Sequence, residues 1–164
     1  MTNDYLLREW TDDLTTPLAS DESELYPQEE GTPSVTDEYR RKATECVFIL
    51  RTLQRQSAQL AESDDQLLPI SANVFRDSHT FLLKILERLP APEIDWESET
   101  GFVVLSWSLG REVGLLSTAI RGDYHVIYSA VFFREQFFEG TPLLDASVDI
   151  ICSVFESASL PSNG

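Results

Sequence analysis

Four carboxylates alternate with other residues in one segment, at Glu93, Asp95, Glu97 and Glu99. If that segment is an extended strand, the four lie on one face about 7 Å apart, and Ile94 and Trp96 between them face the core. A calcium loop of the Asp-x-Asp-x-Asp-Gly type, whose ligands converge around a glycine turn, is absent. The row therefore predicts a solvated strand face or a docking face for a basic partner, with metal binding and acid–base catalysis as the remaining alternatives.

The two histidines give weak catalytic signals. His79 lies in Asp77-Ser78-His79, but consecutive residues of a helix point about 100° apart and cannot form a triad among themselves. His125 is expected on the solvent face of a strand. Glycine-rich phosphate loops, CxxC, GxSxG and HExxH are all absent. We expect no enzyme, no cofactor and no metal ion; the alternative is a small hydrolase whose carboxylates or histidine converge in a pocket.

Charge excludes several classes of partner. The chain has 164 residues with 28 acidic and 12 basic side chains, a formal net charge of −16. That charge repels nucleic-acid backbones and anionic membranes, and it favours solubility or attraction to a basic protein. The N-terminal residues show no basic stretch followed by an apolar run, so no signal peptide is expected. Cys46 and Cys152 have apolar neighbours and read as buried, reduced thiols, which predicts a cytoplasmic protein.

An acidic tail is predicted over residues 1–34. Residues 1–38 hold eleven acids and one base, a net charge of −10. Residues 3–14 have the apolar spacing of a short amphipathic helix that presents Trp10, and the proline-containing residues 15–34 read as a flexible linker. The helix would dock on its own domain, on a sister subunit or in a partner's groove. The candidate partner contacts in the tail are Trp10, Asp12, Asp13, Asp21, Glu22 and Glu24.

One α+β domain is predicted over residues 35–158, followed by a disordered C-terminus at 159–164. Two helices, near 35–61 and 71–89, form an αα-hairpin, and a last helix begins at Pro142 or Asp145. Between them we expect a four-stranded antiparallel meander with helices covering one face, and a loop over 134–141. Its strands are the acidic segment from residue 93 and the segments 102–107, 112–120 and 124–133.

Two apolar features predict either core packing or a subunit interface. The first helix carries a heptad-like seam, which fits the domain core or a helical dimer. A second apolar cluster begins at the end of the last predicted strand and continues into the loop after it, and it would bury under the final helix or in a homodimer interface. The seam consists of Tyr39, Ala43, Cys46, Leu50, Leu53, Ser57 and Leu60, and the cluster of Phe132, Phe133, Phe137 and Phe138.

Residues 80–155 resemble a group of short uncharacterised bacterial proteins. In that group helices precede a Leu-Pro-x-Pro-x-Ile junction, a glycine turn, a strand with Leu-x-Trp and a Gly-Asp turn before a tyrosine-bearing strand. The matching residues are Leu89, Pro90, Pro92, Ile94, Gly101, Leu105, Trp107, Gly122, Asp123 and Tyr128. The resemblance implies an α+β fold and a bacterial origin, in mobile or defence-related gene neighbourhoods, and it implies no activity.

These observations together predict an acidic protein-binding module. We expect an inhibitor of the antitoxin, immunity or anti-defence (anti-CRISPR-like) type, whose carboxylates replace phosphates on a basic nucleic-acid-handling protein. The first alternative is an oligomeric scaffold or adaptor that binds through apolar surfaces. The two differ in their response to salt, because screening weakens charge-driven binding and not apolar association.

Overall fold

The computed structural model describes residues 34–110, 114–132 and 137–159. The chain divides into two units between residues 33 and 34, and the second unit holds every described residue. The elements in chain order are α1 (Val35–Ser63), α2 (Ala72–Ile85), β1 (Glu93–Glu97), β2 (Phe102–Ser108), β3 (Gly114–Ile120), β4 (Val126–Phe132), β5 (Phe137–Gly140) and α3 (Leu144–Ser159). The predicted α+β class is confirmed, with helices before and after an antiparallel sheet.

The αα-hairpin is formed by α1 and α2. Ser34 caps α1 by accepting a hydrogen bond from the amide of Asp37 at 3.2 Å, and Ser71 caps α2 in the same way for Val74. The Tyr39 hydroxyl at the start of α1 donates to the carbonyl of Leu83 near the end of α2 at 3.0 Å. The regular part of α2 ends at Ile85 rather than at the predicted Leu89. A turn covers 86–88, and the amide of Leu89 still donates to the carbonyl of Ile85 at 2.9 Å. Pro90 follows and disfavours a helical conformation in Leu89.

The heptad-like seam of α1 faces the core of its own domain. Cys46, Leu50 and Ser57 are buried, and Tyr39, Ala43 and Leu53 pack against the same core. Leu60, the last residue of the seam, is 49% exposed. Packing in the core of its own domain therefore accounts for the buried part of the seam.

The sheet has five strands in the order β1-β2-β3-β4-β5, and every neighbouring pair is antiparallel. The expected count of four was wrong, because β5 lies within the segment 134–141 that was predicted to be a loop. Its four residues are too few to show the alternation that identifies a strand, and pairing with β4 holds them. The expectation that four acids share one strand was also wrong. β1 ends at Glu97, and Glu99 lies in the turn that leads to Gly101.

Burial separates the two faces of the sheet. The side chains that alternate toward the helices are buried or packed on the core, including Val103, Leu105, Leu116, Ile120 and Val126. These residues share one hydrophobic core with Phe81 and Leu82 of α2 and Ile151 and Cys152 of α3. The residues that alternate to the other side are all partly or fully exposed where their side chains are described. We call that side the open face.

Two buried serines on the helices differ in their hydrogen bonding. The hydroxyl of Ser57 accepts from the amide of Ile70 at 3.0 Å and donates to the carbonyl of Gln54 at 2.9 Å. The hydroxyl of Ser78 is fully buried and finds no partner among the residues that the structure describes. A buried hydroxyl without a partner costs free energy, whereas one that satisfies a backbone amide contributes to stability.

We expect Ser57→Ala to lower the free energy of unfolding by about 1–3 kcal/mol, because it leaves the buried amide of Ile70 unsatisfied. Ser78→Ala should leave stability unchanged or raise it by up to about 1 kcal/mol, since alanine also has the higher helix propensity. Urea unfolding of the two matched variants measures both values. A Ser78→Ala protein less stable than the parent would show that this hydroxyl has a partner such as a buried water.

Burial also raises the pKa of both thiols. For Cys46 the carboxylate of Glu45 adds to the effect of burial, and the nearby Lys42 opposes it. For Cys152 burial is again the main cause, opposed by Arg88. Both cysteines are free thiols in the structure, as the sequence predicted.

A raised thiol pKa makes the folded state the weaker acid, so stability is complete below the ordinary thiol pKa of about 8.5 and falls as pH rises above it. We expect the urea midpoint to fall between neutral and strongly alkaline pH, and the fall to shrink in the variant Cys46→Ala/Cys152→Ala. The native thiols should also react with a disulfide reagent far more slowly than the unfolded ones. Fast reaction of the native protein would contradict the burial.

Candidate functional site

Of the four alternating acids of residues 93–99, the structure places three on the open face, along one edge of the sheet. Glu93, Asp95 and Glu97 are exposed side chains of β1, the outermost strand. Asp95 accepts a hydrogen bond from the amide of Trp96 at 2.8 Å, and Glu97 accepts one from the hydroxyl of Thr100 at 2.6 Å. Charge on an edge strand also discourages pairing with the edge of another sheet.

The indole between these acids fixes the strand from the other side. Trp96 and Ile94 pack against the core, as the alternation predicted. The Trp96 indole N–H donates to the carbonyl of Leu68 at 2.9 Å, and the amide of Leu68 donates to the carbonyl of Ser98 at 2.7 Å. The loop between the helices therefore holds β1 and its following turn, which fixes the direction in which the carboxylates point.

A row of serines crosses the open face between acidic ends. Strand register places Glu93 opposite Ser106, Ser106 opposite Ser117, Ser117 opposite Ser129 and Ser129 opposite Glu139. A carboxylate thus stands at each edge of the sheet, about 19 Å apart over four inter-strand spacings of about 4.8 Å. The side chains between the two carboxylates are small and uncharged.

Apolar side chains lie on either side of the serine row. In the next row Asp95 is followed by Val104, Ala119 and Ile127, and on the other side Leu115 pairs with Val131. Leu115 and Val131 are 49% and 50% exposed. No strand residue of the described open face is basic. The middle of the open face is therefore uncharged, and we call it the floor; a carboxylate stands at each edge. Such a surface can bind an element that is apolar at its centre and basic at its ends.

A second cluster surrounds Tyr124, in the turn between β3 and β4. Tyr124 has a left-handed backbone with φ of 62°, which is rare for a residue with a side chain, and it is 58% exposed. Its amide donates to a carboxylate oxygen of Asp77 at 2.9 Å, and its carbonyl accepts from the amide of Leu144 at 2.7 Å. These two bonds tie the turn to α2 and to the first residue of α3.

Asp77 is the buried acid at the centre of that cluster. Only 2% of it is exposed, and its second oxygen accepts two hydrogen bonds from the Arg76 guanidinium, at 2.9 and 3.0 Å. The guanidinium lies 4.6 Å from the centre of the Tyr124 ring. Gly122 has φ of 84°, and a Cβ there would come within 2.7 Å of the amide nitrogen of Val74 in α2. The turn can therefore pack this closely on the helix only with glycine at that position.

A cavity of about 520 Å³ adjoins Tyr124, between α2 and the start of α3. Its charged groups are engaged with one another: Arg76 with Asp77, and Asp145 with Lys84 at 2.6 Å. Sequence reasoning missed Asp77 as a structural residue. The available signal was an acid on the apolar face of an amphipathic helix, between Val74 and Phe81, where a carboxylate needs a buried partner.

The remaining predicted site residues do not converge. Phe132 packs against the core and lies next to α3, beside Val154. Phe137 and Phe138 belong to β5, opposite Val131 and Ala130. The tail residues Trp10, Asp12, Asp13, Asp21, Glu22 and Glu24, together with Phe133, lie outside the described residues.

The histidines and acids form no metal centre in the described part of the chain. His79 stacks on Phe75 with ring centres 6.2 Å apart, and the His125 ring lies 3.0 Å from the carbonyl of Asp123. Within residues 34–110, 114–132 and 137–159, no group of three or more His, Cys, Asp or Glu side chains could hold a metal ion. In the same ranges no helix has the length and apolar character needed to cross a bilayer.

Comparison of the chain with protein families, with curated proteins and with solved structures found no match. The resemblance over residues 80–155 therefore assigns no family, and the function has to be argued from the site alone.

We expect Asp77→Ala to lower the free energy of unfolding by about 2–3 kcal/mol, because it removes a charged acceptor from a buried backbone amide. Asp77→Asn keeps one acceptor oxygen and should cost less. The control is Asp145→Asn, which breaks an exposed ion pair on the other side of the cavity and should cost less than about 1 kcal/mol. Urea unfolding with hydrogen exchange at Tyr124 measures the effect. Equal, small losses in the Asp77→Ala and Asp145→Asn variants would show that the turn does not depend on Asp77.

Proposed function

We propose that this chain is an acidic protein-binding module whose open face takes a basic element of another protein. The observation that carries the proposal is the serine row with Glu93 at one edge and Glu139 at the other, on a sheet face that no described helix covers. Charge selects the partner, because the strand residues that the structure describes on this face include no basic one and both edges carry carboxylates.

The floor supplies affinity that charge alone does not. Leu115, Ile127, Val131 and Val104 present apolar surface, and its removal from water contributes about 25 cal/mol per Å². The serines between them can exchange water for hydrogen bonds with a partner. An amphipathic element with an apolar centre and basic ends can contact both the apolar floor and the carboxylates at the edges. A purely ionic ligand can contact only the carboxylates.

The spacing along β1 supports a finer proposal. Carboxylates about 7 Å apart on one strand present a regular row of acceptors to lysine and arginine, as a phosphate backbone does. The chain would then inhibit a basic nucleic-acid-handling protein by occupying its binding surface, in the manner of an antitoxin, immunity or anti-defence protein. Glu99 lies outside β1 and would contribute from the adjoining turn.

The test uses a labelled synthetic helix of about 16 residues, about 24 Å long, with lysines at both ends and leucines at its centre. We expect the substitutions Glu93→Lys, Asp95→Lys and Glu97→Lys together to weaken its binding about tenfold or more at low salt, because one whole edge reverses its charge. Fluorescence anisotropy measures the dissociation constants, and amide chemical-shift changes identify the surface used.

The matched control replaces Glu62, Asp65 and Glu87 by lysine, three exposed acids outside the sheet. Both variants have the same net charge, so binding driven by overall charge weakens equally in the two. We expect the control to bind within about threefold of the parent chain, since its edges are intact. Equal loss in both variants would refute the open face as the binding site.

A further inference from the structure

The outward side of α1 carries an aromatic residue between arginines. A spacing of seven residues separates Arg41 from Phe48 and Phe48 from Arg55, so the three lie in one line along the helix. This line is on the side of α1 opposite the buried Cys46, Leu50 and Ser57. Phe48 is 66% exposed although it occupies the middle of a 29-residue helix. We call these three residues the α1 stripe.

Basic residues are concentrated around this stripe. Residues 40–55 contain five of the chain's 12 basic side chains and one acid, Glu45. Exposed aromatic and arginine side chains are the types that contribute most to protein–protein binding. Lys42 lies on the hairpin side of α1, where it donates to the carbonyl of Leu89, and Arg40 lies 3.9 Å from Asp37. The exposed Arg41, Arg51 and Arg55 remain around Phe48, and they make this side of the helix locally positive in a chain with a net charge of −16.

The α1 stripe and the open face match in length and charge. From Arg41 to Arg55 the helix rises about 21 Å, and the acidic edges of the open face are about 19 Å apart. Phe48 lies at the midpoint of the stripe, as Ser117 lies at the midpoint of the serine row on β3. With arginines over the two edges, the phenyl ring would rest on the neutral floor between Ala119 and Leu115.

We propose that the open face of one copy binds the α1 stripe of a second copy. This inference rests on the proposed function and names a partner for the same face. A contact between two open faces is disfavoured because it would oppose carboxylates to carboxylates. The buried side of α1 shares one core with the covered side of the sheet, so the stripe and the open face lie on different sides of the domain and one pair of copies cannot use both at once. The contact is therefore heterologous, and each added copy leaves a free stripe and a free face. The result is a chain or a ring rather than a closed symmetric dimer.

The experiment compares the full-length chain with two half-defective variants by sedimentation velocity. Phe48→Asp disables the stripe, and Leu115→Asp with Val131→Asp disables the face; all three positions are at least 49% exposed, which favours retention of the fold. Leu68→Asp, at a residue 48% exposed in the loop between the helices, is the control. Circular dichroism and urea unfolding confirm that every variant is folded.

At an ionic strength near 0.1 M, where charges are screened beyond about 10 Å, the parent and the Leu68→Asp control should gain mass over about a hundredfold rise in concentration. Each defective variant alone should stay monomeric. An equimolar mixture of the two should form a 1:1 complex and stop there, because only one intact stripe and one intact face remain. A parent chain that stays monomeric, or a mixture that does not associate, would refute the inference.

The synthetic lysine–leucine helix separates this inference from the proposed function. If the parent is monomeric and still binds that helix through its open face, self-association is wrong and the basic-partner proposal stands. If neither the helix nor a second copy binds, both are wrong. Assembly that persists in the Leu115→Asp/Val131→Asp variant would show that copies associate without the open face, which also refutes the inference.

Discussion

Strands joined in chain order into an antiparallel sheet place alternate side chains on opposite faces, and the described helices cover only one of those faces. This one-sided burial decides which residues the rest of the structure can use. On the covered side Val103, Leu105, Leu116 and Ile120 are fully removed from water. The other side must remain compatible with water or with a partner, and it carries serine, alanine and half-exposed aliphatic residues between acidic edges. The open face is therefore a consequence of a sheet that has one layer of helices.

That layer is fixed to the sheet by a small number of polar contacts. The carboxylate of Asp77 holds the amide of Tyr124, and the carbonyl of Tyr124 holds the first amide of α3, so one turn connects two helices and two strands. The left-handed conformation of Tyr124 costs about 1 kcal/mol or more, and it persists because its neighbours determine it. The indoles of Trp96 and Trp107 add hydrogen bonds to the carbonyls of Leu68 and Pro90. With these ties the open face is formed before any partner arrives, which reduces the ordering cost of binding.

Periodicity in the sequence was sufficient for the long elements and insufficient for short ones. The spacing of Cys46, Leu50 and Ser57 identified α1 and its core side, and the alternation around Ile94 and Trp96 identified β1 and its orientation. The strand β5 was missed because four residues show no period, and strand register, which places Ser106, Ser117 and Ser129 in one row, is not visible in any single segment. Because β5 and its register were not visible in the sequence, Glu139 was not recognised as the carboxylate at the second edge of the sheet. The exposure of Phe48 could have been predicted from the sequence, since a phenylalanine on the side of α1 opposite the apolar seam cannot lie in the core.

Net charge and local charge act differently on the two partners considered for the open face. Two copies of this chain each carry a formal charge of −16, so they repel at long range, and only the residues within about a Debye length of the contact favour association. A basic protein is attracted both at long range and at the contact. On the proposed function, such a partner would therefore reach the open face faster than a second copy does. If both proposals hold, self-association through the α1 stripe is the weaker state, which a basic partner would replace.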